Sequence, residues 1–369
     1  MTVRTASRRL ASTAASLLMT PLRLDDFVEL VNPLWSSRQL WGRVEAVRPE
    51  TTDAATLTIR PGRGWREHRA GQYVGTAVRV AGVWRQRAYS VSSAPGRPDG
   101  CFEITVKAVA GGRVSGQLVY GVMPGTVVRL DSPTGEFVLP QTVPERILFL
   151  TAGSGITPVM SMLRDLALRD AMPDVVLLHS ARSRADVIFG AELRGLADRC
   201  ASLRLHERHT RPGGDAARPA DRERPPLAEL LAACPDWSRR STWACGPSGL
   251  LAEAETLWRE AGVADRLRVE RFRPAIADVD AGAAVGGTVH FTRSGRRVAT
   301  DAGTPLLAAG ESAGVLMPSG CRMGICRTCV SRLGAGRVRD LRTGVEHGEA
   351  GDYIQTCVSA AAGDVDIDL

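Results

Sequence analysis

The period at which hydrophobic and polar positions alternate changes along this 369-residue chain, and each change marks a different kind of element. Between about residues 40 and 139, apolar and polar residues alternate in short runs (56–59, 73–80, 84–90, 102–107 and 126–130). Gly/Pro turns such as 61–64 and 95–100 separate these runs. Strand side chains point to opposite faces in turn, so this spacing predicts a small antiparallel barrel. One short helix is expected at 114–120. After Pro144 the pattern shifts: 146–151 is continuously apolar, as in a strand buried on both faces. Ile156, Val159, Met160, Leu163 and Leu166 then recur at helical spacing, predicting a helix over 156–169. Strand-like 174–180, 203–206, 241–245 and 267–271 follow, together with helical 227–234 and 250–261. That alternation predicts a parallel sheet covered by helices. The polar, Pro-rich stretch 211–226 predicts a loop, and 273–287, rich in Ala, Gly and Asp, a linker. Short strands return in 288–369, with one helix near 305–313.

The expected chain is therefore multidomain: an N-terminal helical segment (1–39), an antiparallel β-barrel (40–142), an α/β parallel-sheet domain (143–272), the linker (273–287) and a small C-terminal domain (288–369). In the first segment, Arg4, Arg8 and Arg9 precede a mildly apolar run over 10–22, and 24–35 carries helical apolar positions from Leu24 to Leu34. The apolar region is too weak for a signal peptide and short of the ~20 residues a membrane span needs. An amphipathic segment packed on the body, or lying on a membrane as a peripheral contact, fits better.

Composition changes the picture in three places. A hydrophobic fraction of 44% with 24% charged residues is that of a globular protein. From residue 286 onward nine Arg balance nine Asp plus Glu, so the net charge of +7 sits in the first 285 residues. A basic body suits a phosphate-rich cofactor, an acidic partner or an anionic membrane. No basic stripe with interleaved aromatics argues for nucleic acid. Four of the eight cysteines (Cys101, Cys200, Cys234, Cys245) are scattered, whereas Cys321, Cys326, Cys329 and Cys357 crowd the C-terminus. That distribution points to a metal centre in a reducing, cytoplasmic setting rather than to a disulfide framework.

The cysteine spacing is C-x4-C-x2-C, with Cys357 further on. Four soft thiolates so arranged suit two irons bridged by sulfide, with Gly320 and Gly324 freeing the loop backbone. A zinc site is the alternative, although zinc sites favour paired C-x2–4-C units. A second motif is Arg87-Ala88-Tyr89-Ser90 at a strand end, followed by Lys107, the only lysine, and by Gly112-Arg113-Val114-Ser115 opening the short helix. Helix-start amides at Gly112, Val114 and Ser115 suit phosphate. A third is Gly153-Ser154-Gly155-Ile156-Thr157-Pro158 between the first strand and helix of the α/β region, a glycine turn suited to pyrophosphate. Ser180 and Arg182, at the end of the next strand, suit a 2′-phosphate better than the ribose hydroxyls an acidic residue would bind. Cys245-Gly246-Pro247 ends a later strand. His206 and His209 form H-x-x-H without a third ligand nearby and read as surface or strand residues.

The cysteine loop resembles plant-type [2Fe–2S] ferredoxins, which implies an α+β β-grasp domain. Unlike those acidic proteins, this domain is neutral. The R-x-Y-S, G-x-x-S, G-x-G-x-T-P and C-G-P motifs resemble the ferredoxin–NADP reductase superfamily. In this order, with a C-terminal ferredoxin domain, they resemble bacterial oxygenase and desaturase reductases. The segment Asn32-Pro33-Leu34-Trp35-Ser36 resembles reductases serving actinobacterial acyl desaturases. The resemblance implies FAD (rather than FMN), a [2Fe–2S] cluster, and NADPH with NADH as the alternative. It implies that Arg87, Ala88, Tyr89, Ser90 and Lys107 line the flavin. Tyr89, Ser90, Cys245 and Glu270, with Phe272, would flank the reacting rings, and Gly246 and Pro247 would line the nicotinamide pocket. The implied function is an NAD(P)H-dependent reductase feeding a fatty-acyl desaturase, with a hydroxylase or a cytochrome P450 as the alternative acceptor. A redox-sensing module without turnover would be expected to have lost some of these motifs. A self-sufficient oxidase would need a haem or 2-His-1-carboxylate set that the sequence does not display.

Overall fold

The computed structural model of the chain describes residues 30–211, 226–272 and 286–369. The expectations for residues 1–29, for the loop 212–225 and for most of the linker (273–285) fall outside the described residues. Of the expected helix over 24–35, the described residues Leu30 and Val31 are helical, but the helix stops at Asn32. Asn32 is extended (φ −155°), its side chain accepts from the Leu34 N–H (3.2 Å), and only a single 3-10 turn, Pro33–Trp35, follows. The residue before proline is driven away from helical angles, which explains the break.

The chain divides into two compact units. The first contains most of a six-stranded antiparallel sheet: β1 (Trp41–Thr51), β2 (Ala54–Pro61), β3 (Tyr73–Val80), β4 (Val83–Ser90), β5 (Phe102–Lys107) and β6 (Val127–Leu130). Strand order is β4-β3-β6-β1-β2-β5. An antiparallel bridge from Val91, just past β4, to Ile104 in β5 closes it into the expected barrel. Inward positions alternate as the sequence predicts: Leu57 and Ile59, or Phe102 and Ile104, are wholly buried. Register slips in β1 accommodate Pro49 within an eleven-residue strand. Trp84 anchors β4 from outside, with the Arg129 guanidinium 4.5 Å and that of Arg79 5.2 Å from its ring centroid. Helix α1 (Arg113–Gly116) runs into a π turn, Gln117–Gly121, and buries Val114 and Leu118 in the barrel.

Helix α2 (Ile156–Leu168) joins the first unit from Thr157 onward. Ser161 Oγ donates to the Ser93 carbonyl (2.6 Å), and Arg164 donates to the Ser92 carbonyl (2.8 Å) and the Glu103 carboxylate (3.0 Å). These bonds tie the helix to the segment that follows β4.

The second unit contains a five-stranded parallel sheet: β7 (Arg146–Ala152), β8 (Asp174–Ala181), β9 (Leu203–His209), β10 (Ser241–Cys245) and β11 (Leu267–Glu270), ordered β11-β10-β7-β8-β9. Ile147, Leu148, Phe149 and Leu150 in β7 have no solvent exposure, as the unbroken apolar run requires. Helices α3 (Gly190–Arg199), α4 (Leu227–Leu231) and α5 (Ser248–Glu260) complete the layers. At the amino end of the sheet Arg240 is buried. It donates to Asp174 (2.7 Å), Asp236 (2.9 Å) and the Ile147 carbonyl (3.3 Å).

The C-terminal domain contains β12 (Gly287–Phe291), β13 (Arg296–Thr300), α6 (Leu306–Ser312), β14 (Val330–Ala335), β15 (Val338–Asp340), β16 (Glu346–His347), β17 (Tyr353–Gln355), β18 (Ser359–Ala361) and β19 (Val365–Ile367). A mixed sheet, β13-β12-β19-β14-β17, has β12 parallel to β19, and a small sheet, β16-β15-β18, lies apart from it. Leu306 and Leu307 of α6 share a core with Phe291 and Leu333, the α+β arrangement expected of a β-grasp domain.

Candidate functional site

The carboxyl ends of the parallel strands form the first part of the site. Register sets Glu270 beside Cys245, Cys245 beside Thr151, Thr151 beside His179 and His179 beside Glu207. Each strand thus adds one polar or ionisable residue to a single row. The β7–α2 turn closes onto that row. Gly153 has φ +54°, and a Cβ on Gly155 would lie 2.0 Å from the Cys245 carbonyl oxygen, so only glycine allows the approach. Ser154 completes the turn, Thr157 is buried, and Pro158 sits in the first turn of α2, where its missing N–H costs no helical bond. A Cβ on Gly246 would meet Leu250 and Ala152 at 3.1 and 3.3 Å, and Pro247 caps α5.

Burial sets the protonation of this row. Desolvation, and then the negative charge of Glu270, push the Cys245 thiol well above its ordinary range. Burial pushes the Glu270 carboxyl up to about 7. The His179 imidazole is held down at about 4 by burial and by the charge of His209. Its Nδ1 lies 2.8 Å from Thr151 Oγ1, while its Nε2 has no hydrogen-bond partner. Phe272, just beyond β11, stays 40% exposed. At the end of β8, Ser180 Oγ accepts from Arg208 Nε (3.2 Å), and Arg182 pairs with Asp186 (2.8 Å). Arg208 comes from β9, so sequence spacing alone does not place it beside Ser180. His206 and His209, three apart on the same strand, point to opposite faces.

The second part lies at the end of β4. Ser90 is buried, Tyr89 is half-buried against the barrel core, and Arg87 and Ala88 are half-exposed. Within the second unit, which includes residues 85–88, Arg87 donates to the carbonyls of Gln86 (2.6 Å) and Gly320 (3.4 Å). The turn over 109–116 is closed by Ser115, whose Oγ accepts from the Val109 N–H (3.1 Å). A Cβ on Gly112 would lie 2.5 Å from that oxygen. Val114 has its side chain in the core and offers only its amide. Lys107 forms an ion pair with Asp53 (2.8 Å), which by itself accounts for a cation at that strand end.

The third part is the cysteine loop. Cys321 and Cys326 each accept from the other's backbone N–H (3.4 and 3.2 Å), and Cys329 and Cys357 are buried in one core. Backbone N–H groups of Cys321, Met323 and Cys326 point at thiol sulfurs (3.2–3.4 Å), and the Thr328 hydroxyl donates to Cys326 (3.2 Å). The contact with Cys357 lowers the Cys329 thiol to about 6 and raises its partner. A Cβ on Gly320 would lie 2.6 Å from the Cys326 sulfur. Among the described residues no three side chains converge as a single metal ion requires. Three thiols on one loop and a fourth from the segment after β17, taken in two pairs, instead fit two irons with two thiolates each, and fit one tetrahedral zinc poorly.

Comparison with known proteins agrees with this division. The profile of an oxidoreductase FAD-binding domain matches residues 61–139, that of an oxidoreductase NAD-binding domain 149–256, and that of a 2Fe-2S iron-sulfur cluster binding domain 289–362. An NADPH oxidoreductase of Mycobacterium tuberculosis is 52% identical over 358 residues, covering 96% of this chain and 91% of that protein. A glycine betaine monooxygenase reductase subunit of Pseudomonas aeruginosa is 33% identical over 316 residues, covering 81% and 86%. The structure of phthalate dioxygenase reductase matches with TM-score 0.60 at 23% identity, over 90% of this chain and 98% of that one, a likeness of fold.

Proposed function

Because the chain belongs to the ferredoxin–NADP reductase-type oxidoreductases with a C-terminal [2Fe–2S] domain, we propose that it passes electrons from NADPH to a partner oxygenase or desaturase, with a fatty-acyl desaturase as the favoured acceptor. It is an NAD(P)H-dependent oxidoreductase with FAD-, NAD- and [2Fe–2S]-binding domains. When bound, FAD converts two-electron hydride chemistry into single-electron transfers and the cluster carries one electron at a time.

The chain's own residues bind, orient and exclude water. The Gly153–Gly155 turn and the start of α2 would hold the dinucleotide pyrophosphate. Arg182 and Arg208, at the ends of β8 and β9, would receive a 2′-phosphate, which favours NADPH, and the name of the Mycobacterium relative supports the same preference. Cys245 and Glu270 flank the nicotinamide, Glu270 carrying a proton for part of the time near neutral pH. Tyr89 and Ser90, at the end of β4, would hold the flavin, the ring by packing and the hydroxyl by a hydrogen bond. Arg87, with the amides of the turn at Gly112–Ser115, receives phosphate. Cys321, Cys326, Cys329 and Cys357 hold the cluster.

The observation that carries this reading is the pairing of the four thiols in twos, on a chain whose dinucleotide turn closes on Cys245. The relatives' names support an oxygenase as acceptor, and the Asn32–Ser36 segment supports a desaturase. An anaerobic titration tests the relay: NADPH should bleach the flavin bands and then the iron–sulfur bands, at lower concentration than NADH. Reduction of both by dithionite but by neither nucleotide would refute it. Arg182→Ala and Arg208→Ala should raise KM for NADPH and leave KM for NADH.

A further inference from the structure

An acceptor protein must approach the cluster where the cysteine loop meets solvent, and the loop there is chemically one-sided. Residues 316–329 contain two arginines, Arg322 and Arg327, and no carboxylate. Both arginines occupy left-handed backbone conformations (φ +61° and +57°), which only five non-glycine residues adopt among those described. Such a conformation strains a side-chain-bearing residue relative to the right-handed form, and glycine avoids the strain. The loop does use glycine for this purpose at Gly324 (φ +74°).

The two arginines differ in what their side chains do. Arg322 pairs with Glu311 and so has a structural role within the domain. Nearby Arg342 is likewise neutralised, by Asp340. Arg327 is exposed and has no ion pair or side-chain hydrogen bond among the described residues. It stands between Cys326 and Thr328, whose hydroxyl donates to that cysteine, and Ile325 on the other side is 49% exposed. An apolar residue and an uncompensated guanidinium thus flank a cluster ligand. The domain as a whole is neutral, so it exerts no net field that would mask a local charge.

We propose that the loop tip at Ile325–Thr328 is the docking surface for the electron acceptor, and that the acceptor presents carboxylates to Arg327. The inference rests on the relay reading above and names the partner's chemistry: an acidic rim around an apolar contact, the reverse of the docking that an acidic ferredoxin would use.

The test is calorimetric binding of the full-length, cofactor-loaded, oxidised protein to two forms of one haem protein, native cytochrome c (basic) and succinylated cytochrome c (acidic), at low ionic strength. The succinylated form should bind more tightly, with an affinity that falls as salt rises. Arg327→Gly, which suits the left-handed backbone, should weaken it roughly fivefold, and Arg327→Glu roughly tenfold or more. Arg296→Glu, the same charge change on the exposed strand β13, should alter it less than about twofold. Visible absorbance shows that each variant retains its cluster. Tighter binding of native cytochrome c, wild-type affinity in both Arg327 variants, or an equal loss in Arg296→Glu would overturn the proposal. The relay reading fails separately: a cluster that NADPH cannot reduce, in a protein whose binding still depends on Arg327, refutes the relay and leaves the docking surface standing.

Discussion

Replacing Gly155 by alanine adds one methyl group at the closest contact in the dinucleotide site. Its Cβ would lie 2.0 Å from the Cys245 carbonyl oxygen and 2.4 Å from the carbonyl carbon. Ordinary contact begins near 3.4 Å, so turn and strand must separate by more than 1 Å. Neither side yields easily. Cys245 is wholly buried and paired in register with both Thr151 and Glu270. Overpacking of this kind costs about 1–3 kcal/mol, and a clash with fixed backbone belongs at the upper end. For a domain of this size about 3 kcal/mol lowers Tm by roughly 6–12 °C. Two neighbours calibrate the measurement. Gly153→Ala meets no atom within 4 Å but keeps φ +54°, costing about 1 kcal/mol. Gly249→Ala, inside α5, meets nothing at an ordinary φ and should stabilise by up to about 1 kcal/mol. Thermal unfolding followed by circular dichroism should therefore rank Gly249→Ala at or above wild type, then Gly153→Ala, then Gly155→Ala. Stopped-flow reduction by NADPH should be slowest in Gly155→Ala. A Gly155→Ala protein melting within about 1 °C of wild type, with unchanged reduction, would refute the close-approach argument.

Three further substitutions probe buried charge. Glu270 is raised to about 7, so between about 4.5 and 7 the folded chain holds a proton that the unfolded chain has lost, and stability falls as pH rises across that window. Glu270→Gln should flatten that slope in melts from pH 4.5 to 8; an unchanged slope would count against its burial. His179, held at about 4 against 6.5, has the opposite sign: stability is complete above 6.5 and is lost as pH falls towards 4, a loss that His179→Gln should remove. At the other end of the sheet, Arg240→Met strips the guanidinium from Asp174, Asp236 and the Ile147 carbonyl. Denaturant titration should show a loss of about 3 kcal/mol, moderated because both carboxylates reach solvent; a loss below about 1 kcal/mol would show the clamp to be dispensable.

The sequence reveals the parts of the fold governed by local rules. The unbroken apolar run of β7, the alternation of β3 and β5, and the helical spacing from Ile156 all appear as elements because each periodicity belongs to one element alone. Helix α3 escapes such reading. It begins after Phe189 at φ +60°, an unusual entry for an aromatic residue, and buries only Gly190, Leu193 and Leu196. Its periodicity is therefore weak. Partners distant in sequence are equally hidden. Nothing local places Arg208 on Ser180, His179 on Thr151 or Asp53 on Lys107, because each pairing depends on strand register. Lys107 shows the consequence. As the only lysine it stands out in the sequence, but that its ammonium pairs with Asp53 is set by strand register alone.

The motif glycines show where local and long-range information meet. Gly112, Gly155 and Gly320 are visible as letters in three motifs, but the reason for each lies in an atom elsewhere: the Ser115 hydroxyl, the Cys245 carbonyl and the Cys326 sulfur. In all three a Cβ would come within 2.0–2.6 Å of a polar atom that the site itself uses. A glycine selected only for turn flexibility would tolerate alanine at the cost of backbone strain. One selected for room would not, because the neighbouring atom is held by its own bonds. The sequence can therefore mark these positions without stating what they protect, and the structure supplies the protected atom. That atom also sets the chemistry: an oxygen closing a turn, a carbonyl beside the dinucleotide row, and a sulfur of one of the two thiol pairs.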